Sequence, residues 1–114
     1  MKTDYITRES LLPPYLAYPR FLLGMNVRLI AREVYMILLD MAYSGIDVRI
    51  DRHGRRYLTF NNKTIAEIIS RTPATVAQSL RELEDAGLIE KKLISRSAPY
   101  HVYVKLPDGP EIGT

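Results

Sequence analysis

Apolar residues recur along the chain with two different periods, and each period predicts an element of secondary structure. Between residues 30 and 43, Ile30, Val34, Ile37, Leu38 and Met41 return every three or four positions. An α-helix turns once in about 3.6 residues, so this spacing gathers them on one face. A serine and a glycine, which commonly end helices, follow directly. We therefore predict a first amphipathic helix over residues 30–43.

The next segment has the alternating pattern of β-strands. Val48 and Ile50 alternate with charged residues, and residues 57–60 return with strand-forming side chains. Asp51–Gly54 lies between them and contains turn-forming residues, including a glycine that can adopt positive φ. The sequence therefore predicts a β-hairpin after the first helix.

Two more helices are predicted from their capping residues. Asn61 or Asn62 can begin a short helix, because either side chain can accept from backbone N–H groups that a helix leaves unpaired. Thr72 and Pro73 mark the start of a third helix, where the missing N–H of proline costs nothing. Gly87 is placed to end that helix. A short helix and a helix over residues 73–86 are thus expected, with a tight turn between them.

The rest of the chain predicts a second hairpin and two less structured ends. Strands over 88–94 and 100–105 flank a loop, and the prolines near the N-terminus favour extended backbone. We expect an N-terminal arm over 1–28, a domain over 29–106 and a linker or tail over 107–114.

The order of these elements indicates an α+β fold that is mainly α. A short helix, a tight turn and a longer helix make a helix-turn-helix, and a basic hairpin directly after it is a wing. The predicted fold is therefore a winged helix-turn-helix with an extra β-hairpin between helices 1 and 2 and an extended N-terminal arm.

The third helix carries side chains suited to reading DNA. The major groove of B-DNA is about 12 Å wide and admits one helix, whose projecting residues must be small or able to form hydrogen bonds. Gln78 could pair with adenine, and the Thr75 methyl could contact thymine. Phosphate contacts should come from the ends of elements and from the second hairpin, where residues 91–105 contain no acid. The predicted DNA-contacting residues are Asn62, Lys63, Arg71, Thr72, Ala74, Thr75, Gln78, Ser79, Arg81, Lys91, Lys92, Arg96 and Ser97.

The charge of the chain limits how this surface can be used. The net charge of +3 and the pI of about 9.3 are mild, so they only permit a polyanionic partner. Glu82, Glu84 and Asp85 would repel phosphates. Only the first two turns of the third helix should therefore enter the groove.

Composition and targeting signals indicate a soluble, cytoplasmic protein. The chain has no cysteine, which fits a reducing compartment and excludes disulfides and thiolate metal sites. Neither a signal peptide nor an apolar run of membrane-spanning length is expected from the sequence. We expect no membrane partner.

The sequence contains only weak evidence for catalytic or metal-binding residues. His53 and His101 have no partner at metal-ligand spacing, and Asp47 and Asp51 flank a predicted turn, where aspartate is common. No glycine-rich phosphate loop is present. We expect no metal, no cofactor and no enzymatic activity.

Several segments resemble the N-terminal domain of the plasmid replication initiator protein A family. The long helix over 31–41, the hairpin with its turn at 51–55, and Leu80–Glu84 carry much of the resemblance. It extends from the entry segment 18–22 through Gly87-Leu88-Ile89 to residues 101–105.

The resemblance implies binding to repeated sites in origin DNA and a homodimer built partly from the arm and the first hairpin. Other replication proteins are possible partners. Family members usually continue into a further C-terminal domain, which does not follow Thr114 in this sequence. The expected dimer contacts are Tyr5, Leu11, Leu12, Tyr15, Ile50 and Tyr57.

Two other interpretations stay open at this point. A transcriptional repressor would use the same DNA-contacting surface. A protein-interaction module would instead use the arm and the first hairpin, and it would show no salt-dependent affinity for DNA.

Overall fold

The computed structural model describes residues 1–44 and 48–107. Gly45, Asp47 and residues 108–114 of the predicted tail lie outside the described residues. The three predicted helices and two predicted hairpins are present, so the α+β prediction is confirmed. In chain order the elements are a 3₁₀ helix (Arg20–Gly24), α1 (Leu29–Ser44), β1 (Arg49–Ile50), β2 (Arg56–Tyr57), α2 (Asn62–Ile69), α3 (Pro73–Asp85), β3 (Ile89–Lys92) and β4 (His101–Val104).

Helix α1 lies at the centre of the core. Val34, Tyr35 and Leu38 are wholly buried, and α1 packs against α2, α3 and β4. The Tyr35 hydroxyl donates to the Lys105 carbonyl oxygen at 2.7 Å, which satisfies its one polar group. Burial raises the pKa of Tyr35 to about 12. Tyr35 therefore fastens the central helix to the chain that leaves β4.

Capping residues fix the turn between α2 and α3. The Asn61 side chain caps α2 by accepting from the Lys63 backbone N–H at 2.9 Å. Helix α2 ends at Ile69, and the cap residue Ser70 that follows has a φ of 57°, in the left-handed region that few non-glycine residues adopt. Thr72 then caps α3 by accepting from the Thr75 backbone N–H at 3.2 Å. The reversal is tight because only Ser70, Arg71 and Thr72 separate the last residue of α2 from the first residue of α3.

Backbone hydrogen bonds at Leu58 join the two hairpins. Arg49 lies opposite Tyr57 in the first hairpin (β1–β2), and β3 pairs with β4 in the second hairpin. Leu58, directly after β2, exchanges two backbone hydrogen bonds with Val102 of β4, at 2.8 and 2.9 Å. The first hairpin is thereby held against the second.

The second hairpin is shorter than the sequence predicts. Strand β3 ends at Lys92 rather than Ile94, and β4 covers His101–Val104 rather than 100–105. Leu93 and Ile94 are each 57% exposed, so burial does not hold them in the ladder. The loop of this hairpin is correspondingly longer.

The predicted N-terminal arm divides into an exposed part and a packed part. Residues 1–18 are exposed throughout. Further along, Leu22 and Val27 are buried in the core. The Arg32 guanidinium donates to the carbonyl oxygens of Met25 and Val27, at 2.9 and 2.8 Å, and so fixes the path of this packed part. The packed part is continuous with the core of the domain.

Candidate nucleic-acid interface

Helix α3 and its cap residue Thr72 present a row of accessible side chains that ends at Arg81, in the third turn. Thr72, Ala74, Gln78 and Arg81 are exposed, and Thr75 is half-buried. The hydroxyls of Thr72 and Thr75 lie 3.0 Å apart in the cap. Gln78 and Arg81 continue the row with longer side chains that can hydrogen-bond to bases or phosphates. We call these five residues the reading face.

Ser79 does not belong to the reading face, and its prediction as a DNA contact is wrong. Its side chain is wholly buried, and its Oγ has no hydrogen-bond partner among the described residues. Ser79 comes three residues after Val76 and four before Leu83, both of which are buried. At about 100° per residue this spacing places all three on one face of the helix. The period of the core stripe contained this signal, but the polar residue type obscured it.

Five other predicted contacts flank the reading face in the sequence. Lys63 and Arg71 are exposed near the two ends of α2, and Asn62 is half-buried at its first position. Arg96 and Ser97 are exposed in the loop of the second hairpin. All five are accessible to a ligand, at least in part.

The two lysines of β3 lie on opposite faces of the second hairpin. Successive side chains of a strand point to opposite sides. Lys91 is opposite Val102, whose side chain is buried, whereas Lys92 is opposite His101. The structure therefore separates two cations that the sequence places side by side.

Each of these lysines also contacts an aromatic ring of the same hairpin. The Lys91 Nζ lies 5.0 Å from the centroid of the Tyr100 ring, and the Lys92 Nζ lies 5.2 Å from that of Tyr103. Lys92 is also 3.8 Å from the Glu90 carboxylate. Part of the positive charge of Lys92 is thus balanced within its own strand.

Two acids in the second half of α3 are used inside the protein. The Arg28 backbone N–H and Nε donate to the Glu82 carboxylate at 2.8 and 2.7 Å. These hydrogen bonds, the backbone one above all, lower the pKa of Glu82. Glu84 accepts from the Lys91 backbone N–H at 3.1 Å. Both carboxylates therefore hold α3 to neighbouring segments.

An aromatic cluster lies where the two hairpins meet. The ring of Tyr57 stacks on His101 with 4.1 Å between centroids, and Tyr103 lies beside it at 5.6 Å. Tyr57, a predicted dimer contact, is thus half-buried against its own chain. Ile50, predicted for the same interface, is 65% exposed. Residue spacing does not predict this cluster, because Tyr57 is distant along the chain from His101 and Tyr103.

The other predicted dimer contacts lie on the exposed arm. The exposed fractions of Tyr5, Leu11, Leu12 and Tyr15 are 89%, 92%, 82% and 73%. Large apolar side chains at this exposure leave much unfavourable surface in contact with water. The arm therefore offers a surface that a partner could cover.

Within residues 1–44 and 48–107, no helix is both long and apolar enough to span a membrane. Nor do three or more histidine, aspartate or glutamate side chains in this part of the chain come close enough together to hold a metal ion.

The family of the chain follows from comparison with known proteins. Residues 17–108 match the family model described as Replication initiator protein A (RepA) N-terminus. The chain belongs to this family. The resemblance noted in the sequence is thereby confirmed, although no curated protein sequence matches the chain.

Solved structures share the fold of this RepA N-terminal domain. One, described as "Structure of Rep-DNA complex", has a TM-score of 0.70 and 20% sequence identity, covering 96% of this chain and 88% of that chain. Another, described as "N-Terminal domain of DNA binding protein", has a TM-score of 0.65 with the same identity and coverage. At this identity the likeness establishes the fold.

The sequence does not predict a cleft that lies beside α3. This cleft has a volume of about 340 Å³ and lies between the start of α2 and the second hairpin. Phe60 and Tyr100 both line it. These residues are far apart in sequence, so no spacing pattern could bring them to notice.

Proposed function

We propose that this chain binds double-stranded DNA in a sequence-specific way, as the origin-recognition domain of a plasmid-type replication initiator. The reading face carries the proposal. Its residues project from a helix that is capped at Thr72 and buried along its opposite side by Val76, Leu80 and Leu83. Such a helix is rigid and one-sided, as insertion into a major groove requires. The family match and the similar fold in a Rep–DNA complex support the proposal that this chain binds DNA.

Phosphate contacts are proposed for the residues on either side of the reading face. Lys63 and Arg71 would contact the backbone from α2 and the turn, and Arg96 from the loop of the second hairpin. The cap of α3 adds the positive end of a helix dipole. These contacts set position and orientation but carry no sequence information.

The acids of α3 fit the same arrangement. Since Glu82 is bound to Arg28 and Glu84 to the Lys91 backbone, the second half of α3 is committed to internal contacts. Only the first two turns would then enter the groove. The proposal includes the assignment of the fold as a winged helix-turn-helix, in which the second hairpin is the wing.

A homodimer is part of the proposal. The exposed apolar side chains of the arm, together with Ile50 on the first hairpin, would be covered by a second copy. A dimer would place two copies of α3 on one duplex, so that it could bind two repeated or symmetric half-sites. We propose no catalytic role for any residue.

A protein-interaction module is the second candidate, and the same exposed arm favours it. In that case the arm would bind a different protein, and the reading face would have no DNA ligand. A transcriptional repressor would share the DNA-binding surface and differ in the location of its target site.

Two substitutions in one binding assay test the proposed division of roles. Gln78→Ala should reduce the preference for the native over a shuffled duplex by about 5- to 150-fold, because a bidentate base contact is worth about 1–3 kcal/mol. Arg96→Ala should weaken binding to both duplexes and reduce the slope of log Kd against log salt by about 1. Arg52→Ala, which removes an exposed cation from the turn of the first hairpin, is the matched control. Equal effects of Gln78→Ala and Arg96→Ala on shuffled DNA would refute the assignment.

A further inference from the structure

The cleft of about 340 Å³ lies between the start of α2, Leu80 of α3 and the second hairpin. Phe60 and Tyr100 contribute aromatic rings, and Asn61 and Asn62 contribute carboxamides. Within residues 1–44 and 48–107, the rest of the lining is the saturated ring of Pro99, the aliphatic side chains of Leu80 and Val102, and one charged group, the Lys91 ammonium. The size of the cleft falls within the range of roughly 300–1,000 Å³ typical of clefts that bind small molecules. No acidic residue from the described part of the chain lines it.

Tyr100 is oriented by its neighbour before any ligand binds. The Lys91 Nζ lies 5.0 Å from the centroid of its ring, within reach of a cation–π interaction. Tyr100 is 48% exposed, so a substantial part of the side chain is open to a stacking partner. A ring already oriented costs less to order when a ligand stacks on it.

The carboxamides supply polarity next to the rings. Asn61 Oδ1 accepts from the Lys63 backbone N–H as the cap of α2, which leaves its amide N–H groups to donate. Asn62 offers both a donor and an acceptor. A ligand with a flat apolar body and a polar edge matches this combination of rings and amides.

The chemistry fits a nucleobase outside a helical stack better than it fits duplex DNA. In a duplex, neighbouring base pairs cover the faces of each base, and only edges, sugars and phosphates are accessible. A phosphate alone could pair with Lys91 but would leave the rings of Phe60 and Tyr100 without a stacking partner. An unpaired base offers a π-face for stacking and carbonyl groups that accept from amides.

We propose that this cleft binds an unpaired nucleobase, so that the domain holds single-stranded DNA in addition to the duplex that the reading face is proposed to contact. Tyr100 would stack on the base, Asn61 and Asn62 would hydrogen-bond to its edge, and Lys91 would neutralise the adjoining phosphate. This activity goes beyond duplex recognition and uses different residues from the reading face.

Fluorescence anisotropy with two oligonucleotides tests the proposal. One probe is fluorescein-labelled (dT)12, and the other has the same length and phosphates but abasic sugars. The wild-type chain should bind (dT)12 roughly tenfold more tightly than the abasic probe, since stacking adds affinity that phosphates alone do not supply. Tyr100→Ala should remove this preference, and Tyr100→Phe, which keeps the ring, should retain it within about twofold.

A reading-face variant separates this proposal from the proposed duplex recognition. Gln78→Ala should leave (dT)12 binding unchanged, and the melting temperature of each variant shows that it remains folded. Equal affinity for the two probes would overturn the proposal, as would (dT)12 binding that Tyr100→Ala leaves unchanged. Neither result would alter the specificity for duplex DNA, which depends on Gln78.

Discussion

The Tyr103 hydroxyl donates a hydrogen bond of 2.9 Å to Oδ2 of Asp51. The other carboxylate oxygen of Asp51 accepts from the backbone N–H groups of His53 and Arg55, at 2.8 and 3.0 Å. One carboxylate thus organises the turn of the first hairpin and ties it to β4. The first hairpin, which is proposed to contribute to the dimer, is therefore held against the second, which is proposed to contact DNA.

Tyr103→Phe should loosen this connection without disturbing the packing of the ring. We expect the melting temperature to fall by a few degrees and the amide hydrogens of His53 and Arg55 to exchange faster with solvent, because the Asp51 carboxylate loses one of its anchors. Tyr15→Phe removes the same hydroxyl from the exposed arm and serves as the control. A melting temperature and exchange rates equal to those of the control would contradict the role assigned to this bond.

Stability should fall at acidic pH because two carboxylates have lowered pKa values. The Arg55 backbone hydrogen bond, followed by the Tyr103 and His53 bonds, lowers the pKa of Asp51 from its usual 3.8. The Arg28 hydrogen bonds lower the pKa of Glu82 from its usual 4.5. A carboxylate with a lowered pKa in the folded state stabilises the fold above its usual pKa, and this contribution is lost as the pH falls through the folded value.

Urea titrations between pH 6 and pH 2.5 measure this dependence. The free energy of unfolding of the wild-type chain should begin to fall below about pH 4.5 and continue downward. Asp51→Asn and Glu82→Gln should each make that fall shallower, while Asp40→Asn, which removes a charge at an exposed position of α1, should not. A fall with the same steepness in all three variants would show that these carboxylates do not cause the acid sensitivity.

Ser79→Ala should stabilise the protein and leave DNA binding unchanged. The substitution removes a buried hydroxyl that has no partner among the described residues and introduces a better helix former. We expect the free energy of unfolding to rise by about 1 kcal/mol. The affinity for DNA should stay within about twofold of the wild-type value, because the Ser79 side chain is buried and a substitution away from the contact surface has a small effect. A large loss of affinity for DNA would show instead that Ser79 contributes to the contact with DNA.

The arm gives a direct test of the proposed dimer. Leu11→Asp should convert the dimer to a monomer in sedimentation velocity, because burying an unpaired carboxylate in an apolar interface is costly. The melting temperature at low protein concentration should not change, since Leu11 is 92% exposed in the single chain. Thr3→Asp adds the same charge to the arm and should leave the dimer intact. Dimers that survive Leu11→Asp would exclude this part of the arm from the interface.

Local chemistry predicted the helices well. The caps at Asn61 and Thr72, the proline at the first position of α3 and the glycine after its end are all signals within a few residues. The long apolar period of α1 likewise depends only on nearby positions. These features do not require knowledge of the tertiary structure.

Contacts between segments that are distant along the chain could not be predicted from the sequence. The pairing of Leu58 with Val102 and the bond from Tyr103 to Asp51 depend on how the hairpins meet. The cleft between Phe60 and Tyr100 arises in the same way. Ser79 is different, because its buried position follows from the period of α3 and only its polarity argued otherwise.

The most direct test of the central claim is the affinity of the wild-type chain for duplexes tiled across the upstream and coding region of its own gene, compared with a shuffled duplex of the same composition. Fluorescence anisotropy at two salt concentrations gives both the specificity and the salt dependence. We predict that one or more native duplexes bind at least tenfold more tightly than the shuffled duplex, and that affinity falls steeply as salt rises. Equal affinity for native and shuffled duplexes would contradict sequence-specific recognition, and no binding even at low salt would favour the protein-interaction module instead.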